Sequence, residues 1–454
     1  MAGGTWTSQN KKIPGVYINV KSSGNVAPSA GDRGTVAIAE PLSWGISGEV
    51  MEITPGEDLR PYIGYDITNE KALFLREMMK GSERTAGPSK ILLYRPAGTG
   101  GVKASATIGQ LTVTALYEGA RGNDITIIIE EQVDKEDTYD ISTVIDGTVA
   151  DTQAVTDLSK LAANAWVTFS GTGTTITETA GIALTSGADP TVSSADYANF
   201  LTAIEPYQFD ILVYDGTEST VIQAVASFVE RISNNVGQKC QAVMAGESAA
   251  KCNSEFVIAV QNGVKLDDGT SLTAQQATWW VGGAEAGALY NQSLTYAQYP
   301  NAVEANPKLT DAQAEAAVLA GYLCFIDSFD SVKVCTDINS LTSFSVDKGE
   351  EFAKNRVMRV LMQLCNDAYR QFSLYYIGKI DNNETGRSLL KGWLVGYLND
   401  MQANGGIQNF TAEDVTVSAG KTVDAVVIEV WIQPVDSVEK IYMNVSVSVN
   451  ESVE

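Results

Sequence analysis

The chain has 454 residues, 44% hydrophobic and 19% charged, the balance of a folded protein of two to four domains rather than a disordered one. Its 55 acidic against 31 basic residues give a formal net charge of −24, which argues against nucleic acid or an anionic membrane surface as partner. There is no histidine, so Ser-His-Asp and Cys-His catalysis and His-ligated metals are excluded.

Residues 1–12 are polar. Behind Pro14-Gly15, the residues Val16, Ile18 and Val20 share one face at period two, with Tyr17 on the other, which predicts an edge strand. A connector rich in Gly, Ser, Pro and Asn covers 22–34, and a short β-type run covers 35–40. A short helix over 71–80 is stopped by Gly81, and a strand over 90–95 by Pro96. From 100 to 189, Thr, Val and Ile dominate between Gly, Asn and Asp turns. This predicts an all-β insert with runs at 111–116, 125–130, 140–145, 167–169 and 174–177.

From residue 207 the pattern becomes α/β. A continuous apolar strand over 209–214 suits a sheet covered on both faces. A helix carrying Val221, Val225, Phe228 and Ile232 follows, with Gly237 past its end, then a strand over 242–245. Residues 256–260 and 264–266 around Asn262-Gly263 predict a hairpin. A helix is predicted over 273–289, and its spacing makes at least one of Trp279 and Trp280 core rather than a stacking platform. The most periodic helix covers 350–375, with Val357, Leu361, Leu364, Ala368 and Phe372 in one stripe; a second covers 387–401. After a strand at 426–431, Ile441, Met443, Val445, Val447 and Val449 alternate strictly with polar residues and Tyr442.

The candidate chemical motifs dissolve on inspection. Gly420-Lys421-Thr422 lacks the glycine a P-loop places five residues earlier, where Val415 stands. The Gly282-Gly283 and Gly287 group lies inside a helical pattern and reads as close helix packing. Asp381 to Gly386 imitates an EF-hand opening, but its twelfth position is Gly392, so it reads as a turn into the next helix. Five cysteines (Cys240, Cys252, Cys324, Cys335, Cys365) without a Cys-x-x-Cys read as small buried hydrophobes in a reducing compartment. No apolar stretch reaches the roughly 18 residues of a membrane helix, and the N-terminus shows no secretory pattern, so the chain is expected to stay in the cytosol. No catalytic, cofactor-binding or metal-binding residue is assigned. The alternating C-terminal tract must find a sheet edge for its backbone groups, in its own chain or in another subunit.

Several motifs in shared order carry a family resemblance. They are Pro14 to Tyr17, Ala120 to Ile125, Leu184 to Asp189, Asn291 to Thr295, Val332 to Leu341, Asn355 to Val360, Tyr376 to Arg387 and Asp414-Val415. The chain resembles the contractile tail sheath proteins of phages and phage-like particles, departing at Ser186, where Gly is usual, and at Gln292, where Lys is usual.

The resemblance implies an α+β multidomain fold: an N-terminal arm (1–24), an inner domain made from both chain ends (25–98 and 345–436), an inserted all-β outer domain (99–190), an α/β middle domain (191–344) and a C-terminal arm (437–454). It implies a structural protein, not an enzyme, without cofactor. Six copies would form rings stacked helically around a tail tube protein, between baseplate and tail terminator proteins, with no nucleic-acid partner and no membrane insertion. The particle tail would assemble in the host bacterial cytoplasm. The arms would add strands to neighbouring subunits through Val16, Tyr17, Ile18 and Val20 and through Ile441, Met443, Val445, Val447 and Val449. Hinges are expected at 22–34 and 434–437. The tube-facing surface is expected on the 345–375 helix, at Lys348, Glu350, Glu351 and Lys354, and on the 405–410 turn. The competing readings are another tail or baseplate component, a cell-surface protein and a cofactor-dependent enzyme on the α/β domain.

Overall fold

The computed structural model describes residues 3–4, 11–19 and 33–447. Its centre is a seven-stranded sheet in the order Tyr322–Leu323, Val257–Val260, Gln241–Ala245, Ile211–Val213, Thr35–Ala39, Lys90–Tyr94, Val50–Ile53. All neighbours run parallel except the last pair. Residues 36–39, 211–213, 242–245 and 257–260 are buried without interruption, because helices cover both faces. Helices Leu73–Met78 and Ala274–Gly287 lie on one face. Ser194–Ile204, Ser219–Arg231 and the first turns of Asn355–Tyr375 lie on the other.

One expectation changes here. The 256–266 run is not a hairpin: Val257–Val260 is a central parallel strand, while Gly263–Leu266 turns away to pair with Ser271–Leu272 and Ala302–Asn306. The real tight turn lies at 267–270, with Asp267 and Asp268 exposed on it. Residues 33–98 share a core both with the 211–260 strands and with the first turns of Asn355–Tyr375. Their two parallel strands complete the sheet of the 211–323 strands, because strands this apolar need partners on both edges and cover on both faces.

The helix Ala274–Gly287 is set by a capping box between Thr273 and Gln276. Trp279 and Trp280 are both buried in it. Its glycines admit a neighbouring backbone: a Cβ on Gly283 would stand 1.9 Å from the Met78 carbonyl oxygen, and one on Gly287 2.1 Å from that of Ala86.

The insert is a pair of stacked antiparallel sheets. One has the order Thr148–Val155, Tyr139–Ile145, Ile125–Glu131, Thr179–Ala183; the other is Val167–Ser170, Leu111–Glu118, Lys103–Ile108. Ile108, Leu111, Val113, Ile127, Ile129 and Ile141 fill the space between them. The run expected at 174–177 forms no strand; the pairing segment is Thr179–Ala183. Strands Lys103–Ile108 and Thr148–Val155 were not predicted, since Ala, Ser and Thr give them little apolar alternation. The two ends of the insert are zipped together by antiparallel bridges joining Thr99 to Thr191, Val102 to Ala188 and Ser105 to Thr185.

At the C-terminal end, Asn355–Tyr375 lies between two layers. Val357, Met358 and Leu361 face the large sheet, while Val360, Tyr369 and Phe372 face the helix Glu384–Ala403. Trp393 bridges Phe372 and Tyr397, with ring centroids 5.2 and 4.7 Å away. The Asn383 side chain caps the second helix by accepting the Gly386 N–H, so 381–383 form the expected turn and the helix already begins at Glu384. Against these helices packs an antiparallel hairpin, Val415–Ala419 with Val426–Val430. Among the described residues no helix is long and apolar enough to cross a membrane.

Candidate assembly interface

The C-terminal hairpin has only two strands, paired with each other, so among the described residues each keeps an open outer edge. Its inward side chains Val415, Val417, Val426, Ile428 and Val430 rest on the helices. A two-stranded ribbon of this kind is marginal alone and gains from a third strand. Beyond it the backbone stays pinned for a few residues. Gln408 N–H donates to the Gln433 carbonyl at 3.1 Å, and Val435 N–H to that of Gly406 at 3.0 Å.

The alternating tract then leaves the body. Ile441, Met443, Val445 and Val447 are 75–86% exposed and carry no strand pairing; Val449 lies outside the described residues. A segment whose apolar residues alternate, without strand pairing, thus follows in sequence a two-stranded sheet with open edges among the described residues. Because Pro434 and Val435 are held by Ile407 and Gly406, the expected hinge at 434–437 is fixed at its start.

The N-terminal segment is placed differently. Val16–Tyr17 pairs in parallel with Gly3–Gly4 of the same chain, and Ile18 N–H donates to the Gly4 carbonyl at 2.7 Å. Val16 is buried against the core of the C-terminal helices, with Ile18 beside it. Val20 and most of the 22–34 connector lie outside the described residues.

The four residues expected to face a tube do not form one free strip. The Lys348 ammonium is paired with Glu255, whose side chain is 7% exposed. Lys354 is paired with Glu439, which also accepts the hydroxyls of Thr295 at 2.6 Å and Thr336 at 3.1 Å. Glu350 and Glu351 are exposed on the 3-10 turn Glu350–Ala353. The long helix following them is mostly buried inside the chain, because both of its faces carry apolar residues.

A buried ionic joint connects the layers. Arg359, fully buried, donates to Glu285 and, at 2.6 Å, to Asp337. Asp337 also accepts from Asn355 at 2.8 Å and from the Leu294 N–H at 2.9 Å. Burial and the neighbouring Asp337 push the Glu285 carboxyl well above the usual range. Burial works against ionised Asp337 too, but Arg359 and the donated hydrogen bonds outweigh it and hold that carboxyl low. The joint therefore sets two carboxyl groups, shifted in opposite directions, against one guanidinium.

A second acid pair sits at the carboxyl ends of two adjacent parallel strands. The Val36–Ile211 register continues to Glu40 beside Asp215, where crossovers switch from one sheet face to the other. Burial, then the partner carboxylate, raises Glu40. Burial also raises Asp215, against the Trp279 indole N–H at 2.8 Å. Among the described residues no cluster of acids, thiols or imidazoles could hold a metal ion.

Four family models meet end to end along the chain. They are the N-terminal region of tail sheath protein Gp18 domain III over 33–95, the phage tail sheath β-sandwich domain over 99–189, the central domain over 191–340 and the C-terminal domain over 347–448. A curated relative, the phage-like element PBSX protein XkdK of Bacillus subtilis, is 36% identical over 99% of this chain and 100% of its own length.

The chain belongs to the phage tail sheath family.

The crystal structure of a sheath tail protein from Desulfitobacterium hafniense is 44% identical and superposes with a TM-score of 0.84, covering 94% of this chain and 99% of that one. A chain in the contracted helical sheath of the anti-feeding prophage shares the fold at 12% identity, with a TM-score of 0.57 over 96% of this chain and 99% of that one. The sheath family is a structural one and not an enzyme family, and its members belong to the tail of a virion or phage-like particle. The β-sandwich domain coincides with the insert read from composition. Sequence reasoning missed the Arg359, Glu285 and Asp337 joint and the Glu439 contacts, whose partners are far apart in the chain and carry no local pattern.

Proposed function

We propose that this sheath subunit polymerises as six-membered rings stacked helically around a tail tube protein, and that neighbouring subunits exchange terminal strands. The carrying observation is the exposed alternating tract 441–447 beside a two-stranded hairpin with open edges. A donated strand making about 4 to 6 backbone hydrogen bonds, each worth roughly 0.5–1.5 kcal/mol net, adds several kcal/mol per junction. The arms 1–24 and 437–454 are the exchanged parts, the 345–436 region faces inward, and the 99–190 insert faces outward.

Contraction is rigid-body motion of subunits that remain linked by these strands. The extended lattice is metastable, held by the tube and the baseplate, with a terminator protein at the far end. The energy is stored at assembly in the host bacterial cytoplasm and released when subunits bury more surface against one another. No nucleotide is consumed. Of the original four, the exposed Glu350 and Glu351 are the ones we assign to the tube, together with the exposed Gln408 and Asn409 of the 405–410 turn.

Electron microscopy of the concentrated recombinant chain tests the reading. Hollow cylinders with a regular axial repeat are expected, and deletion of 438–454 is expected to leave folded subunits that form none. Cylinders of native spacing from the truncated chain would rule out strand exchange through this arm. Reversing Glu350 and Glu351 to lysine is expected to abolish assembly on the tube but not self-assembly.

A further inference from the structure

Among residues 438–447, Glu439 alone is not exposed. Val438 before it is 82% exposed and Ile441 after it 83% exposed, whereas the Glu439 side chain points inward and is 13% exposed. It is the last residue of the described C-terminal segment whose side chain is held by the body. Three separate parts of the chain hold it: Thr295, following the 274–287 helix; Thr336, following the 331–334 strand; and Lys354, immediately before the 355–375 helix. The donors are aimed rather than incidental. The Thr295 oxygen already accepts the Asp337 N–H at 2.9 Å, which leaves its proton for the Glu439 carboxylate. Asp337 is also a carboxylate of the buried Arg359 joint, so the socket adjoins a fully buried ion pair.

Resting on the strand-exchange reading, we infer that Glu439 is a positioning residue: its seat on Lys354, Thr295 and Thr336 fixes the point and direction from which the C-terminal strand leaves the subunit. Backbone contacts end at Val435, five residues short of the exposed tract. Without the seat, the strand would pivot from there, and its tip would sweep a much larger volume. An exported strand with a fixed origin meets its acceptor at a higher effective concentration than a freely swinging one. The seat lies at the surface, with Lys354 28% and Glu439 13% exposed, so it can be released when subunits rotate.

Lys440, exposed directly after the seat, supplies the assay. A protease needs several residues around the scissile bond to be extended and free, so trypsin cutting after Lys440 reports the unseated population. On the soluble full-length subunit, Glu439→Gln and Lys354→Met are each expected to accelerate release of the 441–454 fragment by about tenfold, the loss of one charge-assisted contact. The double variant is expected to be no faster than either single one, since both remove the same seat. Cleavage at Lys135, in the exposed turn of the insert, serves as control and is expected to be unchanged. In the cylinder assay, the same variants are expected to give shorter cylinders with less regular repeats.

Wild-type cleavage rates in both single variants would overturn the inference. So would faster cleavage with cylinders of wild-type length and order, which would show that the seat holds the segment without guiding the strand. If the unmodified chain forms no cylinders at all, strand exchange itself falls and the positioning role with it, whatever the cleavage ratio.

Discussion

Replacing Gly283 with alanine sets two known effects against each other in one residue. Alanine inside a helix is favoured over glycine by about 1 kcal/mol. Here the new Cβ would sit 1.9 Å from the Met78 carbonyl oxygen and 2.8 Å from its carbon, both backbone atoms at the end of the helix Leu73–Met78. Ordinary contact begins at 3.4 Å, so the two helices must separate by about 1.5 Å, which is 3.4 less 1.9. The Trp280 indole N–H now reaches the Gly81 carbonyl at 3.1 Å, and that separation takes it out of hydrogen-bond range. Overpacking costs about 1–3 kcal/mol and an orphaned buried donor about 1–3 more. Steric cost wins, and Gly283→Ala is expected to destabilise the soluble subunit by about 2–4 kcal/mol in urea denaturation at unchanged m-value. Gly392 and Gly396 are the internal controls. Both lie in Glu384–Ala403 with open space where a Cβ would go, so Gly392→Ala and Gly396→Ala are each expected to stabilise by about 0.5–1 kcal/mol. A Gly283→Ala subunit as stable as wild type, or a Gly392→Ala subunit destabilised to the same degree, would refute the argument.

Three further outcomes follow from the electrostatics and the arm. Arg359→Met strands the Asp337 carboxylate in the interior and is expected to cost about 3–5 kcal/mol; a loss below 1 kcal/mol would show that the joint is not a working ion pair. The Glu40 carboxyl is raised by folding, so the stability tied to it is full below its unfolded pKa and is lost as pH climbs towards the folded value. Glu40→Gln is therefore expected to match wild type near pH 4 and to be the more stable chain at pH 8; equal stability at both pH values would refute this. Met443→Asp with Val445→Asp, both on exposed positions, is expected to leave subunit stability within about 0.5 kcal/mol of wild type while abolishing cylinders seen by electron microscopy.

Elements with strong local period were legible in the sequence: the helices at 219–231, 274–287 and 355–375 and the strands at 90–94 and 241–245 lie where the apolar spacing put them. The 256–266 segment was not. Asn262-Gly263 is a hairpin signal at short range, but the parallel sheet claims Val257–Val260 through residues more than ten positions away. Apolar spacing also could not tell that the 355–375 helix is wrapped on two sides, because its second apolar face is shared by Val360 and Tyr369, which stand off the main stripe. The exposed 441–447 tract was legible as an alternating pattern because nothing but alternation shapes it. The seat of Glu439 was not, since its partners Thr295, Thr336 and Lys354 lie 144, 103 and 85 residues away and are ordinary surface types individually.

The zipped base of the insert has an evolutionary consequence. Because Thr99 and Thr191 are bridged, the chain leaves and rejoins the sheet unit at nearly the same point. What lies between them takes no part in the seven-stranded sheet and meets the body through side chains, Trp44 against Tyr117 and Trp166 and Arg121 against the Gly64 carbonyl. Such a domain can be lengthened, shortened or exchanged whole at little entropic cost, because the ends to be joined are already together. If the insert faces outward as proposed, the body and the insert are separable inheritances, and a lineage can change what its particle displays without relearning how to assemble it.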